Sequence, residues 1–187
     1  MRNIFLCLLC AVAVLLPVSC GDDKITPPEP KPIVEYKNLQ NKDDVLFNLE
    51  LAYNEREMIE YDKLLDDDFI FMYRGRDGTW VQWDRDREVS VHIQILNPNL
   101  PGDKRVISIS LQLDYTEDNW TPEPPNDDHP DETWYTQTVG YDLIIKTADE
   151  WEARALNKYA EFTIRWAETS EGEHWRIVLW RDDVGSN

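Results

Sequence analysis

Four runs of the chain, residues 106–115, 133–146, 155–166 and 174–182, place apolar side chains at every second position. Side chains alternate between the two faces of a strand, so each run predicts a strand with one face on a core. Short turns at Asp149-Glu150 and at residues 170–173 join the last three, and the four together predict an antiparallel sheet. In the first run Ile107, Ile109, Leu111 and Leu113 are expected on one face. The half before them has a different period. From about Gln40, Val45, Leu49, Ala52 and Tyr53, then Ile59, Leu64 and Leu65, make an apolar stripe at helical spacing, with Asn41 or Asp43 as the cap. A charged patch at residues 54–57 marks the bend into a second, short helix.

Phe69 to Tyr73 reads as a strand by its aromatic and β-branched content, and Arg74 to Gly78 as a turn. Thr79 to Gln82 has the spacing of a capping box, and Val89, Ile93 and Leu96 predict a third helix that ends before Pro98. Residues 116–132, rich in proline and acid, predict an exposed loop. The 187 residues, 42% of them hydrophobic, suffice for one sizeable core and not two. The fold class is therefore α+β. A net charge of −18 opposes binding to phosphate polymers, whose affinity comes from cations that displace counterions, so no nucleic acid partner is expected.

The N-terminus reads as an address. Arg2 precedes an unbroken apolar run of 13 residues, Ile4 to Leu16, too short to span about 30 Å of hydrocarbon as a helix. The junction that follows, Leu16-Pro17-Val18-Ser19-Cys20-Gly21, resembles the lipobox of bacterial lipoprotein signal peptides, although Pro17 stands where the family prefers leucine. The resemblance implies cleavage after Ser19 and a lipid on the Cys20 thiol. The expected division is a signal peptide over 1–19, a proline-rich tether over 20–38 and a folded domain over 39–187. Cys7 and Cys10 lie within the removed segment, so the mature chain keeps one cysteine and has neither an internal disulfide nor a cysteine metal cluster. The mature chain carries a net charge of −19, which an anionic leaflet repels, so membrane attachment falls to the lipid. The expected location is the cell envelope, anchored to the outer membrane with the domain outside the cytoplasm.

The order of helices followed by a four-stranded meander resembles the nuclear-transport-factor-2-like superfamily and its SnoaL-like branch. The carriers are Ala52-Tyr53-Asn54, Tyr61, Leu64 to Phe71, Trp83 with Glu88, and His174 to Asp182. The resemblance implies an NTF2-like cone, in which a bent antiparallel sheet wraps the first helix, and a fold that hosts isomerases, cyclases, hydrolases and non-catalytic modules alike. A ketosteroid-isomerase-like site needs a tyrosine and two carboxylates inside the cone, and these do not map onto matching positions.

Strand parity puts Trp175, Ile177, Leu179 and Arg181 on one face, and Lys158, Ala160, Phe162, Ile164 and Trp166 on one face of the strand before. Lys158 and Arg181 are thus expected on the concave side, either pairing with surface acids or meeting a ligand carboxylate. Asp142 is the carboxylate to weigh as a general base against a solvated strand residue, and Glu88 is the second catalytic candidate, which either crosses the pocket mouth or pairs with Arg85 or Arg87, the pairing being favoured. His92 reads as a hydrogen-bonded core histidine, and His129 lies among acids at residues 126–132 that match no metal motif. Trp180 and Val178 are expected on the convex face, which suggests a homodimer, and Trp120 either anchors the long loop or meets a partner.

With no nucleophile–base pair, phosphate loop, metal signature or cofactor motif in the sequence, the favoured expectation is a non-catalytic cone that binds a small apolar or acidic molecule or a protein partner. The alternative is a SnoaL-like enzyme that moves a proton with a pocket carboxylate.

Overall fold

In the computed structural model residues 34–124, 130–170 and 172–182 are described. The expected signal peptide, Cys20 with most of the tether, and His129 in the acidic loop lie outside them. Two helices open the domain, α1 (Lys42–Glu55) and α2 (Met58–Leu64), followed by strands β1 (Leu65–Arg74) and β2 (Trp80–Asp84) and helix α3 (Arg85–Leu96). Strands β3 (Val106–Asp114), β4 (Thr121–Pro122), β5 (Trp134–Thr147), β6 (Glu152–Thr169) and β7 (Gly172–Asp182) complete it. The sheet order is β2-β1-β7-β6-β5-β3, with the two-residue β4 pairing β5. Every pair is antiparallel except β1 with β7, so the expected antiparallel sheet is in fact mixed.

Helix α1 buries Val45, Leu46, Leu49, Ala52 and Tyr53 against the sheet, as its stripe requires. The Asp44 carboxylate accepts the Asn41 N–H at 3.1 Å at its start, and Arg56, in the left-handed conformation with φ 61°, ends it. Its polar residues also have a structural task. The Asn54 side chain accepts the Leu111 N–H at 2.8 Å and donates to the Leu111 carbonyl at 2.9 Å, while Glu50 accepts the Leu113 N–H at 2.8 Å. Four helical residues rise about 6 Å and two strand residues about 6.8 Å, so side chains at i and i+4 match backbone groups two apart on the outermost strand, β3. Asn48 likewise holds the Lys37 backbone through both its N–H and its carbonyl, at 2.8 and 2.9 Å.

Irregularities in pairing bend the sheet, at Leu65–Ile70, Val106–Ser108, Tyr141–Leu143 and Thr163–Ile164. Each resets the alternation of faces, which corrects several expectations. Val106 and Ile109 are buried while Ile107 is exposed. On β7, Thr163 pairs Leu179 but Ile164 pairs Ile177, so one extra residue enters that strand. Beyond it Trp180 and Asp182 line the interior, whereas Arg181 pairs with Glu161. Trp180 therefore supports no apolar convex face.

The first half departs from expectation at β2. Residues 80–84 pair with β1 rather than opening a helix. Thr79 belongs to the preceding turn, where its N–H and hydroxyl both donate to Asp77 Oδ1, at 3.0 and 2.7 Å, and Gly78 takes a φ of 80° that favours glycine. The cap of α3 is Asp84, whose carboxylate accepts the Arg87 N–H at 3.1 Å. The buried face of α3 runs through Glu88, His92 and Leu96, while Ile93 is exposed, as is Ile59 in α2. Trp120 does anchor its loop. Its indole N–H donates to Asp43 at 2.8 Å, and Asp43 also accepts the Asp118 N–H.

Candidate active site

Inside the cone lies a cavity of about 130 Å³, walled by Leu49, Leu111, Leu113, Leu143, Phe71, Phe162 and Trp180 and bounded on its polar sides by Tyr53, Glu88, His92, Tyr141 and Asp182. An apolar cavity of about 150 Å³ holds one benzene ring, which sets the scale. The aromatic walls are mutually fixed. Phe71 stacks on Trp83 at 4.7 Å between ring centroids, and Trp180 packs against Phe162 at 4.9 Å and edge-on to Phe71 at 5.5 Å.

Glu88 is wholly buried, and its partners are neutral donors rather than the expected arginines. Tyr61 donates its hydroxyl to Oε1 at 2.6 Å, and the Trp83 indole N–H donates to Oε2 at 2.5 Å. His92, one helical turn on, brings Nδ1 to 3.2 Å from Oε1 and 3.1 Å from the Glu88 carbonyl. Its Nε2 lies 2.5 Å from the Tyr53 hydroxyl. Both oxygens beside Nδ1 accept, so Nδ1 carries the proton and Nε2 accepts from Tyr53, an assignment made from the network. Tyr61 stacks on the imidazole at 4.3 Å and fixes its plane. The arginines are employed elsewhere. Arg85 pairs with Asp62 at 2.7 Å, and Arg87 lies over the Trp83 ring at 5.1 Å.

Burial sets the charge states. It holds the His92 imidazole below its ordinary 6.5, against the opposing pull of the Glu88 charge and carbonyl, so the ring is neutral at pH 7. Burial, reinforced by Glu88, pushes the Tyr53 phenol well above its ordinary value. For Tyr61 burial again dominates, followed by Tyr53 and Glu88. A neutral imidazole with a carboxylate behind it and a phenol in front can accept a proton at one end of the chain and stabilise the resulting cation at the other.

On another side of the cavity Tyr141 donates its hydroxyl to Asp182 Oδ1 at 2.6 Å. A second carboxylate thus lines the interior. Asp182 escaped sequence reading because parity along β7 assumes unbroken pairing. Glu88 had a signal, since it stands four residues before His92 and eight before Leu96, on one helical face.

The other residues singled out from sequence lie apart. Asp142 falls on β5 at the parity opposite to Tyr141 and Leu143, and its Oδ1 accepts the Asn157 N–H at 2.6 Å where β6 bulges and Asn157 takes a φ of 53°. Lys158 borders a shallow polar depression with Asp142 and Asp114 and is not among the residues lining the aromatic cavity, and neither is Arg181. No lysine or arginine lines that cavity among the described residues, nor do three potential metal ligands cluster anywhere among them.

No protein-family model matches the sequence, and a search of curated proteins finds no relative. Solved structures do match. A candidate aromatic ring hydroxylase from Novosphingobium aromaticivorans superposes with a TM-score of 0.53 at 12% identity, covering 78% of this chain and 87% of that one. A conserved protein from Planctomyces limnophilus gives 0.48 at 11% identity over 74% and 89%. A candidate scytalone dehydratase from N. aromaticivorans gives 0.47 at 10% identity over 78% and 86%. The fold is the NTF2-like cone. At these identities the likeness extends to architecture and not to chemistry.

Proposed function

We propose that this chain is a general acid–base catalyst of the SnoaL-like kind that moves a proton on a small cyclic molecule. One observation carries the reading. The chain of hydrogen bonds Tyr53–His92–Glu88 is buried, unaccompanied by a cation, and ends on the wall of an apolar cavity. The expectation of a non-catalytic cone rested on the lack of a nucleophile–base pair, metal signature or phosphate loop in the sequence, and the alternative asked for a carboxylate inside the pocket. Glu88 and Asp182 are both there.

In the proposed step the substrate gives a proton to the Tyr53 oxygen as the Tyr53 proton passes to His92 Nε2 over 2.5 Å. The imidazolium keeps its Nδ1 proton on Glu88, whose negative charge stabilises it, and return of the proton to another substrate atom completes an isomerisation or elimination. Tyr61 and Trp83 hold the Glu88 carboxylate, so little reorganisation accompanies the transfer. The test is deuterium wash-in from D2O, followed by NMR, across a panel of cyclic ketones and enols. Incorporation by the wild type should fall about 10²- to 10⁴-fold in His92→Asn, with the fold retained by circular dichroism. No incorporation anywhere in the panel, or an unchanged rate in the variant, sinks the reading.

We propose in addition that Cys20 carries a lipid that holds the domain at the envelope membrane. The support is the short apolar run and the Ser19-Cys20 junction. A Cys20→Ser variant should leave the membrane fraction, and its retention there refutes the anchor.

A further inference from the structure

Resting on the proton-transfer reading, we infer that the substrate is a small organic cation whose positive nitrogen is fully substituted by carbon, and that the aromatic cavity is the cage for that charge. Six of the lining residues are aromatic, Tyr53, Phe71, Trp83, Tyr141, Phe162 and Trp180. Their rings do not form a single stack. Trp180 meets Phe71 at 72°, Tyr53 at 59° and Phe162 at 45°, with centroids 4.9 to 6.5 Å apart, so aromatic surface approaches the space from several directions. The face of an aromatic ring carries negative potential, and a cation is drawn to it more strongly where water is excluded. One ring of the lining already attracts a cation, since the Arg87 guanidinium lies 5.1 Å from the Trp83 centroid.

Charge selects the same occupant. Glu88 is wholly buried and its partners Tyr61, Trp83 and His92 are neutral, so a negative charge stands uncancelled at the cavity wall. No lysine or arginine lines the cavity among the described residues. A bound cation supplies the counter-charge in a weakly screened space. The acceptors decide which cation. Glu88 receives three donors, His92 Nε2 receives Tyr53, and Asp182 is held by Tyr141 and by a further contact. A primary ammonium would bring three N–H groups to acceptors already engaged, whereas a quaternary nitrogen brings none. A trimethylammonium head is comparable in bulk to the single benzene ring that a cavity of about 130 Å³ approaches in size. In the proton-transfer step a C–H bond of the substrate breaks as an O–H bond forms on Tyr53, whose own proton passes to His92 Nε2. A positive nitrogen beside that carbon stabilises the electron pair left behind, and the substrate becomes a net-neutral zwitterion.

The experiment titrates the whole chain with choline and with its tert-butyl analogue, an alcohol of the same shape in which carbon replaces the charged nitrogen. Calorimetry gives the affinities, and the methyl proton NMR signal reports the upfield ring-current shift on entry among the aromatic rings. Choline should bind at least about tenfold tighter than the analogue, with its methyl signal moved upfield, and tighter than ethanolamine, its primary ammonium counterpart. In Glu88→Gln, which keeps the shape and removes the charge, choline should lose about tenfold while the analogue binds as before. Trp180→Leu keeps an apolar wall and removes a π face, so choline should weaken several-fold, again with the analogue unchanged as the report of an intact cavity. Equal affinities of choline and the analogue in the wild type, no upfield shift, or ethanolamine binding as tightly as choline each overturn this inference. Deuterium wash-in from neutral ketones by the same protein then leaves the proton-transfer reading standing, and its absence as well makes both fall.

Discussion

Among the described residues two carboxylates are almost fully removed from water, and their partners are opposite in kind. Asp66, 1% exposed, receives Arg165 through two parallel bonds, Nε to Oδ2 at 3.0 Å and Nη2 to Oδ1 at 2.6 Å, and the same guanidinium reaches Asp68 and Glu132. Burial alone would lower the Arg165 pKa, but the bonds and charge of Asp66 and then Glu132 outweigh it and push it higher still. That charge never leaves. Glu88, 0% exposed, receives a phenol, an indole and an imidazole, all neutral. A fork of opposite charge fastens β6 to the start of β1, whereas neutral donors leave a negative charge uncancelled beside a cavity. The first arrangement serves the fold, and the second keeps a proton acceptor ready.

The comparison is broken or sharpened most strongly by Arg165→Leu. Removing the cation strands Asp66 without its counter-charge, so stability in urea should drop by about 3–5 kcal/mol, with choline binding in the cavity unchanged for the fraction that folds. Glu88→Gln should cost less, about 1–3 kcal/mol, because the amide still accepts from one neutral donor, yet it should abolish most deuterium wash-in. If Glu88→Gln proves the more destabilising of the two, the contrast is wrong.

A smaller effect separates the regions by pH. His92 has a folded pKa below its unfolded value of 6.5, so the unfolded chain takes up the proton first as pH falls. Its contribution is therefore complete above pH 6.5 and is lost on acidification, at up to about 1.4 kcal/mol per pH unit. His92→Asn should flatten the stability profile below pH 6.5 relative to wild type, and parallel profiles would contradict the buried neutral imidazole. Smallest is Asn54→Ala, which frees the Leu111 N–H and carbonyl to water on the rim of the sheet. A loss of about 1 kcal/mol is expected, measured by thermal melting, with no change at the cavity.

The helices and strand order were legible because burial writes its period into the chain. Val45, Leu49, Ala52 and Tyr53 lie on the face their spacing demands, and all four long strands of the second half form. What the period does not carry is its own interruption. The irregularities beside Val106 and Ile177 leave no signature in residue type, and each inverts the faces beyond it, so Ile107, Trp180 and Arg181 were misplaced and Asp182 was overlooked. The partners of Glu88 are hidden for another reason. Arginines stand one and three residues before it, and an ion pair is the cheaper assumption for an acid on a helix, whereas the tyrosine and indole that hold it come from α2 and β2. A four-residue capping pattern ends at Gln82, yet Trp80, Val81 and Trp83 favour the extended state, and over residues 80–84 local propensity prevails.

The clasp that Glu50 and Asn54 place on Leu111 and Leu113 has a consequence beyond rigidity. A foreign polypeptide that tried to zip onto this outermost strand would find its bonding partners already occupied and would have to dislodge a helix to reach them. The opposite boundary, β2, is flanked by no such helix contacts of its own backbone among the described bonds. Strand pairing at the β3 rim would therefore cost the bonds that hold α1 to the sheet.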